Sequence, residues 1–540
     1  MSKEKRRGKI VKVTLHVILS QMAKSLPEKI ALRYGKQKVS YWELDEKSNS
    51  FAGVLSDLGV KKGDCVALFL HNSIQFVVAF FGALKVGAVV TAVNPLHVEG
   101  EVERQLCDSK AQTIIVLESL WLIVENIIDK TLLKNVVIVT DLGNAVICSK
   151  VTDFRVKLNV LDFESLIRER DVVRIGVLVD SDDVAVIQYT GGTTGVPKGV
   201  LLSHTNIVSN ALSFASHLKC GSNDVFLSVL PFFHIYGLTA CMIMPISIGA
   251  EMVISSKFSS VKSLQDIEEF GVAVFCGTPV MYGALLAKLE EKTEKYNLKS
   301  LRVCISGSSS LPSTVQKRFM QLTGCLLVEG YGLTEASPVT HCNPINTSID
   351  SVKIGSIGKP LLDTKACIVD LKTGQTILPI GEKGELAVKG PQIMRGYWQK
   401  PDETAQVFRN TWLLTGDIAY KDKEDYFYIV DRKKDLIKHK DYSIYPKELE
   451  EILQQHPSIE LCTVIGKQKT PIDEIPKAFI ILKKGKENTK KEEIINFVNN
   501  KIAPYKALKE IEYCKKLPTN TTTGKIIKQT LKQKENNISI

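Results

Sequence analysis

Short apolar runs alternate with longer amphipathic runs from about residue 60 onward. Residues 65–70 predict a buried strand, Ile74–Lys85 predicts a helix, and residues 88–93 predict a second strand. A helix from Glu101 and a strand at Thr113–Leu117 continue the series. Because strands that alternate with helices form parallel layers, an α/β fold is predicted for most of the chain.

The later runs extend this pattern and then change it. Between residues 355 and 430, short alternating runs with frequent glycines predict a smaller antiparallel β region. The charged segment 431–435 then separates a strand at 426–430 from a new strand and helix pattern. Further strands of the parallel layers are predicted at residues 184–189, 251–254, 272–276 and 303–306, and further helices at 446–455 and 490–501.

Composition narrows the class of protein without selecting a ligand. The 540 residues are too many for one ordinary core, and 44% hydrophobic with 24% charged residues is typical of a soluble globular protein. The net charge of +11 favours anionic ligands, but a solvated lysine-rich surface would give the same value. Twelve cysteines without a CxxC pair predict reduced thiols in a cytosol-like compartment.

The sequence predicts neither a targeting signal at the ends of the chain nor a membrane span in its most apolar stretch. The basic N-terminus lacks the apolar run and cleavage site of a secretory signal. Residues 76–93 include Lys85 and two glycines, so a buried helix and strand are predicted there. We therefore expect a cytoplasmic protein without a transmembrane segment. Peripheral membrane contact and the oligomeric state stay open.

The most specific segment is YTGGTTGVPKG at residues 189–199, directly after a predicted strand. Glycines let backbone N–H groups converge on an anion, threonine hydroxyls add donors, and a lysine adds positive charge, so ATP is the predicted ligand. The segment is not a Walker A loop, because Lys198 follows Pro197 and precedes Gly199. A flexible surface turn is the alternative. The candidate phosphate-binding residues are Thr190, Gly191, Gly192, Thr193, Thr194, Gly195 and Lys198.

Five further segments carry a family resemblance. They read LPFFHIYG at 230–237, EGYGLTE at 329–335, TGD at 415–417, DRKKD at 431–435 and LPTNTTTGK at 517–525. With the glycine-rich loop, they resemble the adenylate-forming superfamily of acyl-CoA synthetases, luciferases and peptide-synthetase adenylation domains over nearly the whole chain. The resemblance is closest to long-chain and medium-chain fatty acyl-CoA ligases.

The resemblance implies a reaction in two steps. A carboxylate attacks the α-phosphate of ATP to give an acyl-adenylate and diphosphate, and the thiol of coenzyme A then displaces AMP. Lys525 resembles the family's catalytic lysine, which bridges the substrate carboxylate and the α-phosphate. Glu335 would hold Mg²⁺, Thr334 would hydrogen-bond the α-phosphate, and Tyr331 resembles the ring that packs on adenine.

Other nucleotide contacts follow from the same resemblance. Asp417 resembles the acid that accepts hydrogen bonds from the ribose hydroxyls, and Arg432 resembles the arginine that reaches the ribose or phosphate. Alone, each of these residues would more often be structural. The loop on the adenine side would include Ser308 and Ser309, and the motif around Tyr331 would add Glu329, Gly330 and Gly332.

The aromatic segment 230–237 resembles the family's segment that lies against the acyl carboxylate and the thiol entrance. The resemblance therefore assigns His234 to substrate positioning, with a satisfied structural histidine as the alternative. Peptide-synthetase domains place an aspartate in this segment to pair with an amino group, and its lack here favours an acid with an uncharged tail. Acetyl-CoA synthetases have tryptophan at the position of Gly332, so glycine there predicts an open slot for longer acyl groups. Residues 235–248 and 278–286 are candidates to line it.

The resemblance also implies a mobile C-terminal domain. We predict an N-terminal ATP- and acyl-binding domain over residues 1–431, a hinge at 432–434 with Lys434 as its pivot, and a C-terminal domain over 435–540 that carries the catalytic lysine. In the thioester step, Lys438, Lys440 and Tyr442 would meet coenzyme A. Asp441 stands where the family usually has glycine, which weakens the prediction for this step.

The sequence therefore predicts an ATP- and Mg²⁺-dependent ligase that joins a medium-chain to long-chain fatty acid to coenzyme A. Three alternatives stay open: an aryl or branched-acid ligase of the coumarate type, a carrier-loading adenylating enzyme, and a non-ligating nucleotide and acyl sensor. Nucleic-acid binding is disfavoured, because the chain has neither zinc-finger spacing nor the aromatic and basic motif of an RNA-recognition sheet.

Overall fold

The computed structural model describes residues 12–140, 159–168, 176–190, 197–291, 295–345, 348–439, 442–470, 473–519 and 526–537. These residues divide into two compact units. The first contains the described residues up to 365 together with 389–406, and the second contains 366–388 and the described residues from 407 onward.

The helices of the described residues are given in chain order. They are α1 (Leu15–Ser25), α2 (Tyr41–Asp57), α3 (Ile74–Lys85), α4 (Glu99–Ser109), α5 (Trp121–Glu125), α6 (Phe163–Arg168), α7 (His204–His217), α8 (Met244–Ser247), α9 (Ser260–Phe270), α10 (Pro279–Glu290), α11 (Ser313–Thr323), α12 (Pro401–Val407), α13 (Pro446–Leu453), α14 (Lys491–Asn499) and α15 (Lys528–Asn537).

The strands follow the same order. They are β1 (Ile30–Tyr34), β2 (Gln37–Ser40), β3 (Cys65–Phe69), β4 (Val89–Ala92), β5 (Thr113–Leu117), β6 (Asn135–Val139), β7 (Asn159–Asp162), β8 (Val184–Thr190), β9 (Lys198–Ser203), β10 (Val225–Ser228), β11 (Glu251–Ile254), β12 (Val274–Gly277), β13 (Val303–Ser306), β14 (Leu326–Gly332), β15 (Val339–Cys342), β16 (Lys359–Pro360), β17 (Lys365–Val369), β18 (Gly384–Lys389), β19 (Gly396–Tyr397), β20 (Phe408–Arg409), β21 (Trp412–Lys421), β22 (Phe427–Arg432), β23 (Ile437–His439), β24 (Tyr442–Ile444), β25 (Ile459–Thr470), β26 (Asp473–Leu482) and β27 (Glu510–Tyr513).

The first unit contains two large sheets whose central strands are parallel. One has the order β16-β15-β14-β13-β12-β10-β11-β1-β2, and the other has the order β19-β9-β8-β4-β3-β5-β6-β7. Every residue of β3 is buried, as expected for a parallel strand with both faces covered. The predicted α/β class is confirmed. The antiparallel strands at the sheet edges, β2, β9, β15, β16 and β19, were not predicted.

The predicted elements of this unit are confirmed to within a few residues. Strands β5, β11 and β13 and helix α3 have the predicted bounds, while the helix expected from Glu101 begins at Glu99. The hydroxyl of Ser73 accepts a hydrogen bond from the Phe76 N–H and caps α3. Residues 76–93 form the rest of α3 and then β4, as predicted. No helix of the described ranges is long and apolar enough to cross a bilayer.

The second unit is built mainly from antiparallel sheets. Strands β17, β18, β21 and β20 lie side by side with β22 on β21, β23 pairs with β24, and β25, β26 and β27 form a third sheet. The predicted antiparallel region is confirmed, and α13 and α14 lie where helices were predicted. By compactness, residues 366–388 and 407–431 group with the C-terminal segment. The predicted division at 431 with a hinge at 432–434 concerns motion and stays a prediction.

Candidate active site

Strands β8 and β9 bracket the glycine-rich segment. They pair antiparallel, with Thr190 opposite Lys198, so the lysine lies where the chain returns to the sheet. A Cβ added to Gly199 would lie 2.7 Å from the Cγ2 atom of Ile187, which explains why glycine follows the lysine. The predicted phosphate-binding residues Gly191, Gly192, Thr193, Thr194 and Gly195 lie outside the described residues.

Lys198 has two partners that were not predicted. Its Nζ lies 3.2 Å from Oε2 of Glu403 and 5.0 Å from the centre of the Tyr397 ring. The Lys198 side chain is largely buried, and that of Glu403 is one-third exposed. Tyr397 lies in β19 and Glu403 follows it, and β19 reaches β9 only through long-range pairing. No local pattern in the sequence could have identified them.

Two parallel strands present the predicted adenine-side segments at their carboxyl ends. Strands β13 and β14 pair with Ser306 opposite Glu329. The loop after β13 holds Ser308 at a φ of +75°, and Ser309 follows it. Parallel strands that end at the same edge of a sheet place their loops together, and ligands bind at such edges. The Ser308–Ser309 loop and the segment from Glu329 to Gly332 therefore lie side by side, as a nucleotide site requires.

Glu335 is held by the backbone and by a tyrosine. It lies in a short 3-10 turn with Thr334, directly after β14. The Tyr397 hydroxyl donates to its Oε1 at 2.8 Å, and the Met394 N–H donates to its carbonyl at 2.8 Å. Mg²⁺ is commonly bound by one or two carboxylates together with substrate phosphates, and a single oriented carboxylate fits that chemistry. The described residues contain no cluster of three or more His, Cys, Asp or Glu residues suited to a metal.

Gly332 lies against the backbone of the next strand. An added Cβ would overlap the carbonyl of Pro338 and lie 3.0 Å from the Cα of Val339. Glycine is needed here because β14 passes directly against the start of β15. The open slot for longer acyl groups inferred from Gly332 stays a prediction.

His234 is a neutral histidine with a defined hydrogen-bond role. Burial lowers the pKa of His234 to about 4. Its Nδ1 accepts from the Tyr236 N–H at 3.2 Å, which assigns the proton of the neutral ring to Nε2. The neighbouring Phe233 carbonyl accepts from Nε2 of Gln188 at 2.9 Å and ties the segment to β8. His234 can therefore donate one hydrogen bond through Nε2.

The two predicted acyl-lining stretches differ in exposure. Residues 237–243 form a π-helix that leads into α8, and every residue of both is buried. In α10, Tyr282 is buried while Val280 is 64% exposed. Their role in binding an acyl chain stays a prediction.

Asp417 and Arg432 lie in the second unit, opposite each other on β21 and β22. The Nε of Arg432 lies 2.7 Å from Oδ1 of Asp417, whose side chain is almost fully buried. The two predicted ribose contacts are thus brought together. The arginine sets the orientation of the carboxylate.

The residues predicted for the later steps are only partly described. Lys434 and Lys438 are exposed, and the backbone of Tyr442 pairs with His439. Lys440, Asp441 and Lys525 lie outside the described residues. Their predicted roles stay predictions.

Comparison with known proteins identifies two family models. The model described as AMP-binding enzyme matches residues 19–398. The model described as AMP-binding enzyme C-terminal domain matches residues 448–525. Together the two matches cover most of the chain.

Relatives that match over most of both chains are acid–CoA ligases by name. The long-chain-fatty-acid--CoA ligase of Bacillus subtilis (strain 168) is 40% identical, over 97% of this chain and 94% of the relative. The protein of the same name from Escherichia coli O6:H1 is 34% identical, over 92% of this chain and 90% of the relative. The crystal structure of the anthranilate CoA ligase AuaEII in complex with anthranoyl-AMP is similar with a TM-score of 0.85 at 26% identity, over 99% of this chain and 100% of that one.

Proposed function

Because this chain belongs to the AMP-binding enzyme family, we propose that it is an ATP-dependent ligase that joins medium-chain to long-chain fatty acids to coenzyme A. The observation that carries the proposal is the 40% identity, over nearly the full length of both chains, to a long-chain-fatty-acid--CoA ligase. The enzyme uses ATP, Mg²⁺ and coenzyme A, and releases AMP and diphosphate. We also propose that it works in the cytoplasm.

The first half-reaction needs cations and donors more than acid–base groups. A carboxylate that attacks a triphosphate is repelled by its charge, so catalysis depends on positioning and on positive charge around the phosphates. Lys198 and the glycine-rich loop would bind the outer phosphates, and Thr334 would donate to the α-phosphate. Glu335 would hold Mg²⁺, which supplies positive charge to the phosphate oxygens when bound. Lys525 would bridge the carboxylate and the α-phosphate.

His234 would position the acid. Because its Nδ1 already accepts a hydrogen bond, the Nε2 N–H is the group that can donate to a substrate carboxylate. With a pKa lowered to about 4, the ring stays neutral near neutral pH and neither removes nor supplies a proton. Asp417, oriented by Arg432, would accept hydrogen bonds from the ribose hydroxyls.

Aryl acids form the second candidate substrate class. The similarity to an anthranilate CoA ligase favours them, although the identity is lower than to the fatty acid ligases. AMP release measured with hexanoate, palmitate and coumarate, with and without coenzyme A, separates the two classes. Product formed only with an added carrier protein would indicate a carrier-loading enzyme.

The test of the ligase itself is Lys525→Ala. Loss of the bridging cation should lower ATP–diphosphate exchange by roughly 10²–10³-fold or more. Lys516→Ala removes an exposed lysine that lies directly before the same segment and should leave exchange unchanged. Unchanged exchange in Lys525→Ala would rule out the assigned lysine. Wild-type protein that releases no diphosphate with any acid would refute the ligase.

A further inference from the structure

Residues 394–404, here called the strap, connect the two segments that carry Lys198 and Glu335. The Trp398 N–H donates to the Gly199 carbonyl at 2.7 Å, which attaches the strap to the start of β9. The Met394 N–H donates to the Glu335 carbonyl at 2.8 Å. The strap is therefore bonded through its backbone to both the phosphate-binding lysine's strand and the carboxylate's turn.

Tyr397 contacts the functional groups of both segments. Tyr397 is buried, its hydroxyl donates to Oε1 of Glu335 at 2.8 Å, and its ring lies under Nζ of Lys198 at 5.0 Å. The Tyr397 N–H donates to Oγ1 of Thr404 at 2.9 Å, which fixes the backbone. Burial, together with the negative charge of Glu335, raises the pKa of Tyr397, so the hydroxyl keeps its proton and remains a donor.

Glu403 opposes the charge of the phosphate-binding lysine. Its Oε2 lies 3.2 Å from Lys198 Nζ, and its Oε1 lies 3.4 Å from Lys400 Nζ. Burial alone would raise the pKa of Glu403, but the two lysines outweigh it and lower the pKa. The carboxylate is therefore ionised near neutral pH. It faces Lys198 with the same kind of charged oxygen that a phosphate would present.

We propose that Tyr397 and Glu403 are positioning residues with opposite effects on nucleotide binding. Tyr397 orients Glu335 and supports Lys198, so that Mg²⁺ and the phosphates of ATP meet prearranged partners. Glu403 occupies Lys198 in the absence of nucleotide, and a phosphate oxygen must replace it. This inference rests on the proposed function, because it assumes that Lys198 and Glu335 bind Mg²⁺ and ATP.

The geometry supports an exchange of partners at Lys198. The ion pair with Glu403 is longer than an ideal charge-assisted hydrogen bond, and one-third of the Glu403 side chain is exposed. A carboxylate that can turn into water loses little when an anion of higher charge displaces it. The ring of Tyr397 stays beneath the ammonium group during this exchange and keeps it in place.

The experiment measures equilibrium binding of ATP to the full chain without acid or coenzyme A, across a range of Mg²⁺ concentrations. Tyr397→Phe keeps the ring and removes only the hydroxyl. Loss of a hydrogen bond to a charged group should weaken ATP binding about 10-fold in Mg²⁺ and leave Mg²⁺-free binding nearly unchanged. Glu403→Gln should tighten ATP binding by about 3-fold to 10-fold with or without Mg²⁺, since a competing charge is removed.

Two matched variants serve as controls. Tyr428→Phe removes a tyrosine hydroxyl that donates to the carboxylate of Asp422 at 3.1 Å in the second unit. Glu251→Gln removes the acid of a partly buried ion pair with Arg33, 2.7 Å across, in the first unit. Neither change should alter ATP binding. Thermal melting of all four variants confirms that each is folded.

A double variant separates positioning from a general structural effect. If Tyr397 acts through Glu335, Tyr397→Phe should have no further effect on the Mg²⁺ dependence once Glu335→Gln is present. The inference is overturned if Tyr397→Phe weakens binding equally with and without Mg²⁺, or if Glu403→Gln weakens binding. Failure of the wild-type protein to bind ATP would instead overturn the proposed function.

Discussion

Lysines of the two units are surrounded by carboxylates in different ways. In the second unit, Lys477 lies 2.8 Å from Glu512 and 2.7 Å from Glu535, and its side chain is 9% exposed. Burial opposes its charge, but the two acids raise the pKa of Lys477. In the first unit, Lys198 has Glu403, whose side chain is one-third exposed, as an ion-pair partner and an aromatic ring below it.

The difference distinguishes lysines that stabilise the fold from a lysine that can exchange partners. Removal of Lys477 would take the nearer of two lysines from the nearly buried carboxylate of Glu535 and leave Lys467 at 4.0 Å, which is costly in a low dielectric. Glu403 can turn into water when a phosphate takes its place, at little cost. With 70 lysines and arginines in the chain, composition cannot make this distinction.

Among the tests of this difference, Lys198→Met should have the largest effect on activity. Loss of a cation that faces the developing phosphate charge should lower ATP–diphosphate exchange by roughly 10²-fold, with little change in stability. Exchange assays and urea unfolding measure the two effects. Lys262→Met, which changes an exposed lysine paired with Asp266, is the control. A strongly destabilised Lys198→Met protein would place Lys198 with the structural lysines.

Lys477→Met should have the reverse pattern. We expect a loss of about 3 kcal/mol in the free energy of unfolding, because the buried carboxylate of Glu535 loses the nearer of its two lysines. Exchange per folded molecule should change little. The further change Glu535→Gln should restore much of the stability, since it removes a buried negative charge that has lost its nearer lysine. Unchanged stability in Lys477→Met would show that the network is not structural.

Four buried or partly buried histidines of the first unit extend the comparison, because they are neutral near neutral pH whereas the lysines are charged. Burial lowers the pKa of His16 and His234 to about 4 and that of His204 and His341 to about 3. A lowered folded pKa means that the unfolded chain binds more protons below about pH 6.5, so stability is present above that value and falls as pH decreases toward 4.

Unfolding in urea at a series of pH values tests this expectation. Each such histidine should contribute a slope of up to about 1.4 kcal/mol per pH unit between roughly pH 6 and pH 4. The pair change His16→Gln with His204→Gln should make the curve shallower. Stability that does not decline over this range would contradict neutral burial of these rings.

The smallest expected effect concerns Asp441, which lies outside the described residues. Asp441→Gly introduces the residue that the adenylate-forming family usually has at this position. It should preserve or raise acyl-CoA formation, because glycine adopts positive φ more easily, and it should leave adenylation unchanged. Assays of AMP release with and without coenzyme A separate the two steps. A large loss of adenylation would show that the loop was misplaced.

The sequence predicted the fold where periodicity was strong, and it missed contacts that depend on pairing. The continuous apolar runs at β5, β11 and β13 were identified to the residue, because strands covered on both faces leave that pattern. The edge strand β19 has two residues and no periodicity, so neither it nor the role of Tyr397 could be predicted. The close approach of Gly332 to the carbonyl of Pro338 was not predicted either, because it depends on the pairing of β14 with β15.

Local order along the chain was enough to establish the α/β class and the family and to predict the residues that would meet ATP, because each motif lies within a few consecutive positions. Three features depended on the folded protein: the ring and carboxylate at Lys198, the hydroxyl at Glu335, and the protonated nitrogen of His234. Each of them is fixed by a hydrogen bond, an ion pair or burial that forms only when the sheets assemble. The candidate functional residues therefore lie in short motifs of this chain, whereas the residues that orient them are brought there by long-range packing.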